Sequence, residues 1–321
     1  ARATISMWLK VRHLYSLICD RMKGVAWKVS SITDQSGKVF VVTGTTSGLG
    51  EETARVLSRK NATVIMAARN IDKAESVANE IHAENKNAKI DIEELDLTSL
   101  ESISNFSQSI TKKYKTLDCL INNAGIMACP YSKTKDGFEV QMGTNHLGHF
   151  ALTGQLISLL KKTPNSRVIN VSSIAHLSGN IDFDDLNWEK RKYRTWSAYS
   201  DSKLANLYFT YELSRKLKQT KGNPQVVASH PGYTDTKLQR HSTIWKILNK
   251  IAAQKASIGA LGGIRAATDL KAESGDYFGS PSMGGMRGYP VLVKSNELSY
   301  NTDNAKKLWK LSEELTGVIY D

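Results

Sequence analysis

From Gly37 onward the chain alternates short, continuous apolar runs with longer segments whose apolar residues recur every three or four positions. The runs Val39–Val42, Thr63–Ala67, Ile90–Leu95, Leu117–Ile121, Val168–Val171 and Val226–Ser229 predict strands, with a last one at Tyr277–Phe278. Helical periodicity predicts helices from the glycine-rich stretch after Val42 through Lys60, over Asp72–Glu84 and over 99–114. Further helices are expected before Lys162, over Tyr199–Leu217, near 257–270 and over Thr302–Leu315, where Gly317 stops the tail. Strands that are apolar throughout, rather than at every second position, are buried on both faces. The pattern therefore predicts an α/β fold: one doubly wound parallel sheet in a single domain, 37–321, ending in a helical tail. No repeat or low-complexity linker interrupts it.

Residues 1–36 read differently. Met7, Val11, Leu14, Ile18, Met22, Val25 and Val29 follow a helical period, flanked by Trp8 and Trp27. Arg2, Lys10, Arg12, Arg21, Lys23 and Lys28 face only Asp20 and Asp34. This basic amphipathic extension has no apolar run near the roughly 18 residues a membrane span needs, and charges break any secretory-signal core. It suits packing on the domain, docking to a partner protein, or lying on an anionic membrane surface. A basic, acid-poor segment is also what an organelle-targeting sequence leaves behind. The net charge of +12 is otherwise spread along the chain, without the basic–aromatic stripe or recognition helix of a nucleic-acid binder. Three cysteines, Cys19, Cys119 and Cys129, form no CxxC or His/Cys cluster. We expect free thiols in a reducing intracellular compartment and no metal site. His146, His149 and His176 lack a carboxylate at ligand spacing and read as core packing.

The first predicted strand leads directly into Gly44-Thr45-Thr46-Ser47-Gly48-Leu49-Gly50 and a helix. Glycines there let backbone N–H groups approach a phosphate, and the helix N-terminus adds positive potential. The position is that of a Rossmann-type dinucleotide site, although the spacing is G-x-x-x-G-x-G. The second strand ends in Arg69, where NAD sites place an acidic residue for the ribose 2′-hydroxyl. A guanidinium instead suits a 2′-phosphate, so the expected cofactor is NADP(H). Asp96, beside Leu97, is placed to accept from the adenine amino group or to cap the following helix. Asn123-Ala124-Gly125, ending the fourth strand, would let the adenine-side ribose lie close to the backbone, and Pro231, Gly232 and Thr234 would meet the nicotinamide carboxamide.

Downstream lies Tyr199-Ser200-Asp201-Ser202-Lys203, which puts Tyr199 and Lys203 on one helix face. A tyrosine with its ordinary pKa near 10 is a poor base. An ammonium about 4 Å away contributes on the order of 4 kcal/mol at an effective dielectric of 20, roughly three pKa units. Ser172-Ser173 follows the fifth strand on the same sheet edge, where a hydroxyl could donate to a substrate oxygen. Asn145 falls mid-helix, an awkward place for asparagine unless it bonds something specific.

The ordered set TGTTSGLG, NNAG, Asn145, VSS, YSDSK and HPG resembles the short-chain dehydrogenase/reductase family over about Gly37–Gly317. TNHLGHF, NVSSIAH and YSDSKLAN are similar to its retinol-dehydrogenase-like branch, which includes the WW-domain oxidoreductases. The resemblance implies a tetrad in which Tyr199 is general acid/base and Lys203 lowers its pKa while binding the nicotinamide ribose. Ser173, rather than Ser172, would orient the carbonyl, and Asn145 would hold a water linking Lys203 to solvent. Gly179–Ser197 would form an extra loop, and a homodimer is implied by analogy. An apolar, cation-punctuated helix over 244–251 would either simply cover core or line a pocket for a lipophilic carbonyl or alcohol of retinoid, steroid or fatty aldehyde type. The expected function is NADP(H)-dependent hydride transfer to or from such a substrate, peripheral on a mitochondrial or endoplasmic-reticulum membrane. The rival is an NADP(H)-binding accessory subunit of a larger, organellar assembly, docked through residues 1–36. A light-dependent pigment reductase shares the Tyr/Lys pair but carries a long insertion that this chain lacks.

Overall fold

The computed structural model describes residues 26–218, 224–234 and 253–320. The expected helix over 244–251 lies outside these residues, as do residues 1–25 of the basic extension, Cys19 among them. Strands β1 (Val39–Thr43), β2 (Thr63–Ala68), β3 (Lys89–Glu94), β4 (Cys119–Asn122), β5 (Arg167–Val171), β6 (Gln225–Ser229), β7 (Tyr277–Gly279) and β8 (Val291–Leu292) form one sheet. Its order is β3-β2-β1-β4-β5-β6-β7-β8. All pairings are parallel except β7–β8. The doubly wound sheet is thus as expected, with β8 added as an antiparallel edge too short to leave a sequence signal.

The continuous apolar strands are explained by burial on both sides. Val41, Ile65, Leu120, Val168 and Val226 enter one core with α3 (Leu100–Lys113), α4 (Gly148–Lys162) and α5 (Thr195–Leu217). Their neighbours Phe40, Val42, Val64, Met66, Ile121, Ile169 and Val227 enter the opposite core, beneath α1 (Gly48–Arg59), α2 (Ile71–Glu84) and α6 (Leu261–Thr268). Every residue of α5 from Ala198 to Ser214 is buried, with α7 (Thr302–Thr316) packed over its outer side. Asn301 caps α7 by accepting from the backbone of Asp303 and Asn304, and Gly317, at φ 66°, ends it in the left-handed conformation that glycine adopts without strain. The tail then folds back, and Tyr320 donates to the Phe150 carbonyl at 2.7 Å.

Trp27, Val29 and Ile32 pack against Val56 of α1 and Leu261 and Ile264 of α6. Among the described residues no helix is long and apolar enough to cross a membrane.

Strand register brings the chemistry to one edge. Thr43 lies beside Ala67, Asn122 beside Asn170, and Val171 beside Ser229. Strand order reverses between β1 and β4, which opens a crevice at their C-terminal ends. Leu49, Asn123, Val171, Pro231 and Gly259 line it.

Candidate active site

The loop from β1 to α1 fits a dinucleotide pyrophosphate on three local observations. Gly44 has φ 74°, and a Cβ there would stand 2.9 Å from Ala124. At Gly50 an added Cβ would meet the Gly44 carbonyl at 2.2 Å and Asn123 Nδ2 at 2.7 Å. Backbone at both positions therefore approaches the β4 loop more closely than any side chain permits. Thr45 Oγ1 is buried without a partner, and Ser47, the N-cap residue of α1, makes no side-chain capping bond. Donors at the head of α1 are thus left for an anion.

The loop is held from beneath. Thr43 Oγ1 accepts from the N–H groups of Asn123 (3.0 Å) and Ala124 (2.9 Å), and Asn123 Nδ2 returns a bond to the Thr43 carbonyl at 2.8 Å. His149 Nε2 lies 3.0 Å from Thr43 Oγ1, and its Nδ1 lies 3.1 Å from the Asn145 carbonyl. Burial lowers the His149 pKa to about 4, with the nearby Lys203 acting in the same direction, so this ring is neutral. His146 pairs with Ser312 Oγ, and His176 Nδ1 with the Ser173 carbonyl. All three rings serve packing and local hydrogen bonding.

Tyr199, Lys203, Ser173 and Asn145 converge across the crevice. Lys203 Nζ donates to the Val171 carbonyl at 3.1 Å and stands 5.8 Å from the Tyr199 ring centroid. Ser173 lies close enough to the Tyr199 phenol to lower its pKa, whereas Ser172 Oγ donates to the Lys203 carbonyl at 2.8 Å. The second serine is therefore the one beside the reactive hydroxyl, and the first braces α5. Asn145 sits in a π-helical turn, Gly143–Leu147, which relieves the mid-helix awkwardness. Its Oδ1 accepts from Ile126 N–H at 2.9 Å, and its Nδ2 donates to the Ile126 carbonyl (3.0 Å) and to Ser202 Oγ (2.9 Å). Both Asn145 N–H donors are thus engaged by protein, so its visible work is to clamp the β4 loop. Gly125 keeps open the space between Asn145 Oδ1 and Lys203 Nζ, which an added Cβ would approach to 3.2 and 3.4 Å.

Electrostatics correct one expectation. Burial raises the Tyr199 phenol above its ordinary value, and only Ser173 pulls it down. Burial also lowers the Lys203 ammonium from 10.5 to about 8. Burial, not the lysine, is the largest influence on the phenol here. Desolvation outweighs a charge that the site itself disfavours.

The other expected nucleotide contacts are placed unevenly. Arg69 is exposed at the end of β2 and makes no ion pair among the described residues. Asp96 does not cap α3; Ser99 does, accepting from Ser102 N–H at 3.2 Å. Asp96 Oδ1 instead accepts from the Thr98 N–H and hydroxyl, and its Oδ2 pairs with Lys135 at 3.2 Å. Burial opposes its ionisation, but these partners outweigh burial and hold the carboxyl below its usual range. Leu97 lies in the core beneath α4, with its carbonyl against Gly148. Thr234 Oγ1 donates to the Pro231 carbonyl at 2.8 Å, and Gly232, with φ 68°, turns the chain under Met286. Sequence reasoning gave no role to Thr43 and Ser202, although both lie within the quoted motifs TGTTSGLG and YSDSK.

A family model described as short chain dehydrogenase matches residues 38–246. The chain belongs to this family. It is an oxidoreductase acting on CH–OH/C=O groups, within the retinol-dehydrogenase-like part of the short chain dehydrogenases. Retinol dehydrogenase 13 of Homo sapiens is 41% identical over 298 residues, covering 88% of this chain and 85% of that protein. A solved Mycobacterium Paratuberculosis protein superposes with a TM-score of 0.78 at 39% identity, over 92% of this chain and all of that one. A short chain dehydrogenase from Escherichia coli CFT073, solved in complex with NADPH, gives a TM-score of 0.53 at 26% identity, over 66% of this chain and 85% of that one.

Proposed function

We propose that this short chain dehydrogenase uses NADP(H) and acts on a lipophilic carbonyl or alcohol of the retinoid, steroid or fatty aldehyde type. The observation that carries the cofactor choice is Arg69, an exposed guanidinium with no ion pair among the described residues, at the strand end where a carboxylate would select NAD. The NADPH bound to the Escherichia coli relative supports the same choice. The name of the human relative, and the indole of Trp196 set edge-on at 6.2 Å from the Tyr199 ring, support an apolar substrate.

When bound, the nicotinamide supplies or accepts the hydride. The protein handles the proton and the geometry. A phenol kept neutral by burial is a ready proton donor to a carbonyl oxygen, and Ser173 is placed to orient that oxygen. Lys203, its pKa lowered by burial to about 8, can return the proton to Tyr199. Asn145 keeps the β4 loop, and hence Gly125, against the lysine.

Titrating the protein with each reduced cofactor tests the assignment. We expect NADPH to bind at least about tenfold tighter than NADH, the equivalent of roughly 1.4 kcal/mol, and Arg69→Asp to abolish that preference. Equal affinity in the wild type, or an unchanged preference in the variant, would refute it. We further propose that residues 1–36 hold the enzyme on an anionic membrane surface, which their basic, apolar-striped sequence favours. Failure to co-sediment with anionic vesicles would remove that part alone.

A further inference from the structure

A buried polar cluster stands outside the tetrad and binds together both loops that flank it. Glu139 and Gln141 are fully buried. Glu139 Oε1 accepts from Gln141 N–H (2.9 Å) and the Tyr193 hydroxyl (2.7 Å), and its Oε2 accepts from Met142 N–H at 2.7 Å. Its own N–H donates to Asn187 Oδ1 at 2.9 Å. Gln141 Nε2 donates to the Tyr193 hydroxyl (2.8 Å) and the Thr195 carbonyl (2.9 Å), while its Oε1 accepts from Ala128 N–H at 2.7 Å.

Each partner has a consequence for the site. Ala128 holds φ 48°, a left-handed conformation costly for a residue with a Cβ, in the loop that begins at Gly125 beside Lys203. That loop is pinned at Ile126 by Asn145 and at Ala128 by Gln141. On the other side, Asn187, Tyr193 and Thr195 belong to the extra segment that runs into α5, and Thr195 opens the helix one turn before Tyr199. The Tyr193 ring packs edge-on against Tyr131 (5.1 Å) and Trp188 (5.5 Å), joining the two loops by an aromatic contact. A cluster needed for bulk alone could be apolar; one whose seven bonds reach two loops and a helix start fixes their relative places.

We propose that Glu139, Gln141 and Tyr193 are positioning residues that hold the two walls of the substrate site around the Tyr199 hydroxyl, setting substrate affinity rather than proton or hydride transfer. The proposal rests on the reading of this site as an oxidoreductase of bulky apolar substrates. Tyr193→Phe is the direct test, since it removes the shared hydroxyl and keeps the ring; Glu139→Gln is the second variant should the first fail to fold. For a long-chain fatty aldehyde we expect KM to rise about tenfold, the scale of one or two buried hydrogen bonds, with kcat changed less than about threefold and NADPH affinity unchanged. A small aldehyde such as propanal is expected to show no such rise in KM. Alkylation of half-buried Cys129, which lies on the first loop, should quicken by about tenfold when followed by mass spectrometry of its peptide. A fall in kcat at constant KM, or an unaltered KM with unaltered Cys129 labelling, would overturn the proposal. Should the wild type bind NADPH yet turn over no carbonyl, the functional reading fails, and the Cys129 labelling rate alone still decides whether the cluster holds the loop.

Discussion

At the scale of residues, Tyr199 and Lys203 are legible because a helix places positions four apart on one face. Their ionisation is not, because it depends on burial that the sequence does not display. Tyr199→Phe should lower kcat/KM by about 100- to 10,000-fold, the range of general acid–base catalysis, while NADPH binding and folding persist. Near-wild-type turnover would remove Tyr199 from the chemistry. Lys203 yields a second prediction through its depressed pKa. The native value of about 8 lies below the ordinary 10.5, so between these values the unfolded chain holds a proton that the folded one has released. Stability at this site therefore rises from pH 8 to pH 10.5, and the whole cost of burying the ammonium is felt below pH 8. In the nucleotide-free protein, Lys203→Met should accordingly raise Tm at neutral pH, and the gain should shrink as pH approaches about 10. Thermal denaturation at both pH values gives the answer; a gap that stays constant would contradict the burial argument.

Elements follow from pattern where the pattern is long. Seven parallel strands and the helices between them were readable as apolar runs and helical periods, within one or two residues at most ends. Two features were not. The strand β8 has only two residues, and its existence depends on β7 being there to pair with. The π-helical turn at Asn145 is set by the Ile126 and Ser202 bonds, which come from distant parts of the chain. That Asp96 does not cap the helix was likewise decided by Thr98 and Lys135, since a carboxylate already satisfied by these groups is not free to turn toward it. The glycine loop is the element most sensitive to a single change. Gly50→Ala would drive a methyl group into the Gly44 carbonyl and Asn123, and is expected to weaken NADPH binding at least about tenfold and cost about 1–3 kcal/mol of stability. Isothermal titration and urea unfolding check the two effects, and unchanged affinity would mean that the phosphates bind elsewhere.

The whole molecule closes around the C-terminal segment. Trp309 of α7 packs edge-on against Phe150 at 5.1 Å and lies 6.0 Å from Phe209, so the tail completes the core over α4 and α5 rather than trailing from it. Trp309→Ala should cost about 3–5 kcal/mol, as for other large-to-small core changes, and a loss under about 1 kcal/mol in denaturant unfolding would contradict that packing. This closure was only half visible in sequence: Gly317 marked where the helix stops, but nothing local told where the tail would lie. The proposed function reduces to one statement: a hydride and a proton pass between NADPH and an apolar carbonyl, with Tyr199 as the proton donor. The most direct measurement is single-turnover oxidation of bound NADPH by a retinoid or fatty aldehyde, comparing wild type with Tyr199→Phe. The account predicts conversion in the wild type and its loss in the variant, with NADPH bound equally by both; equal conversion by the two proteins would contradict it.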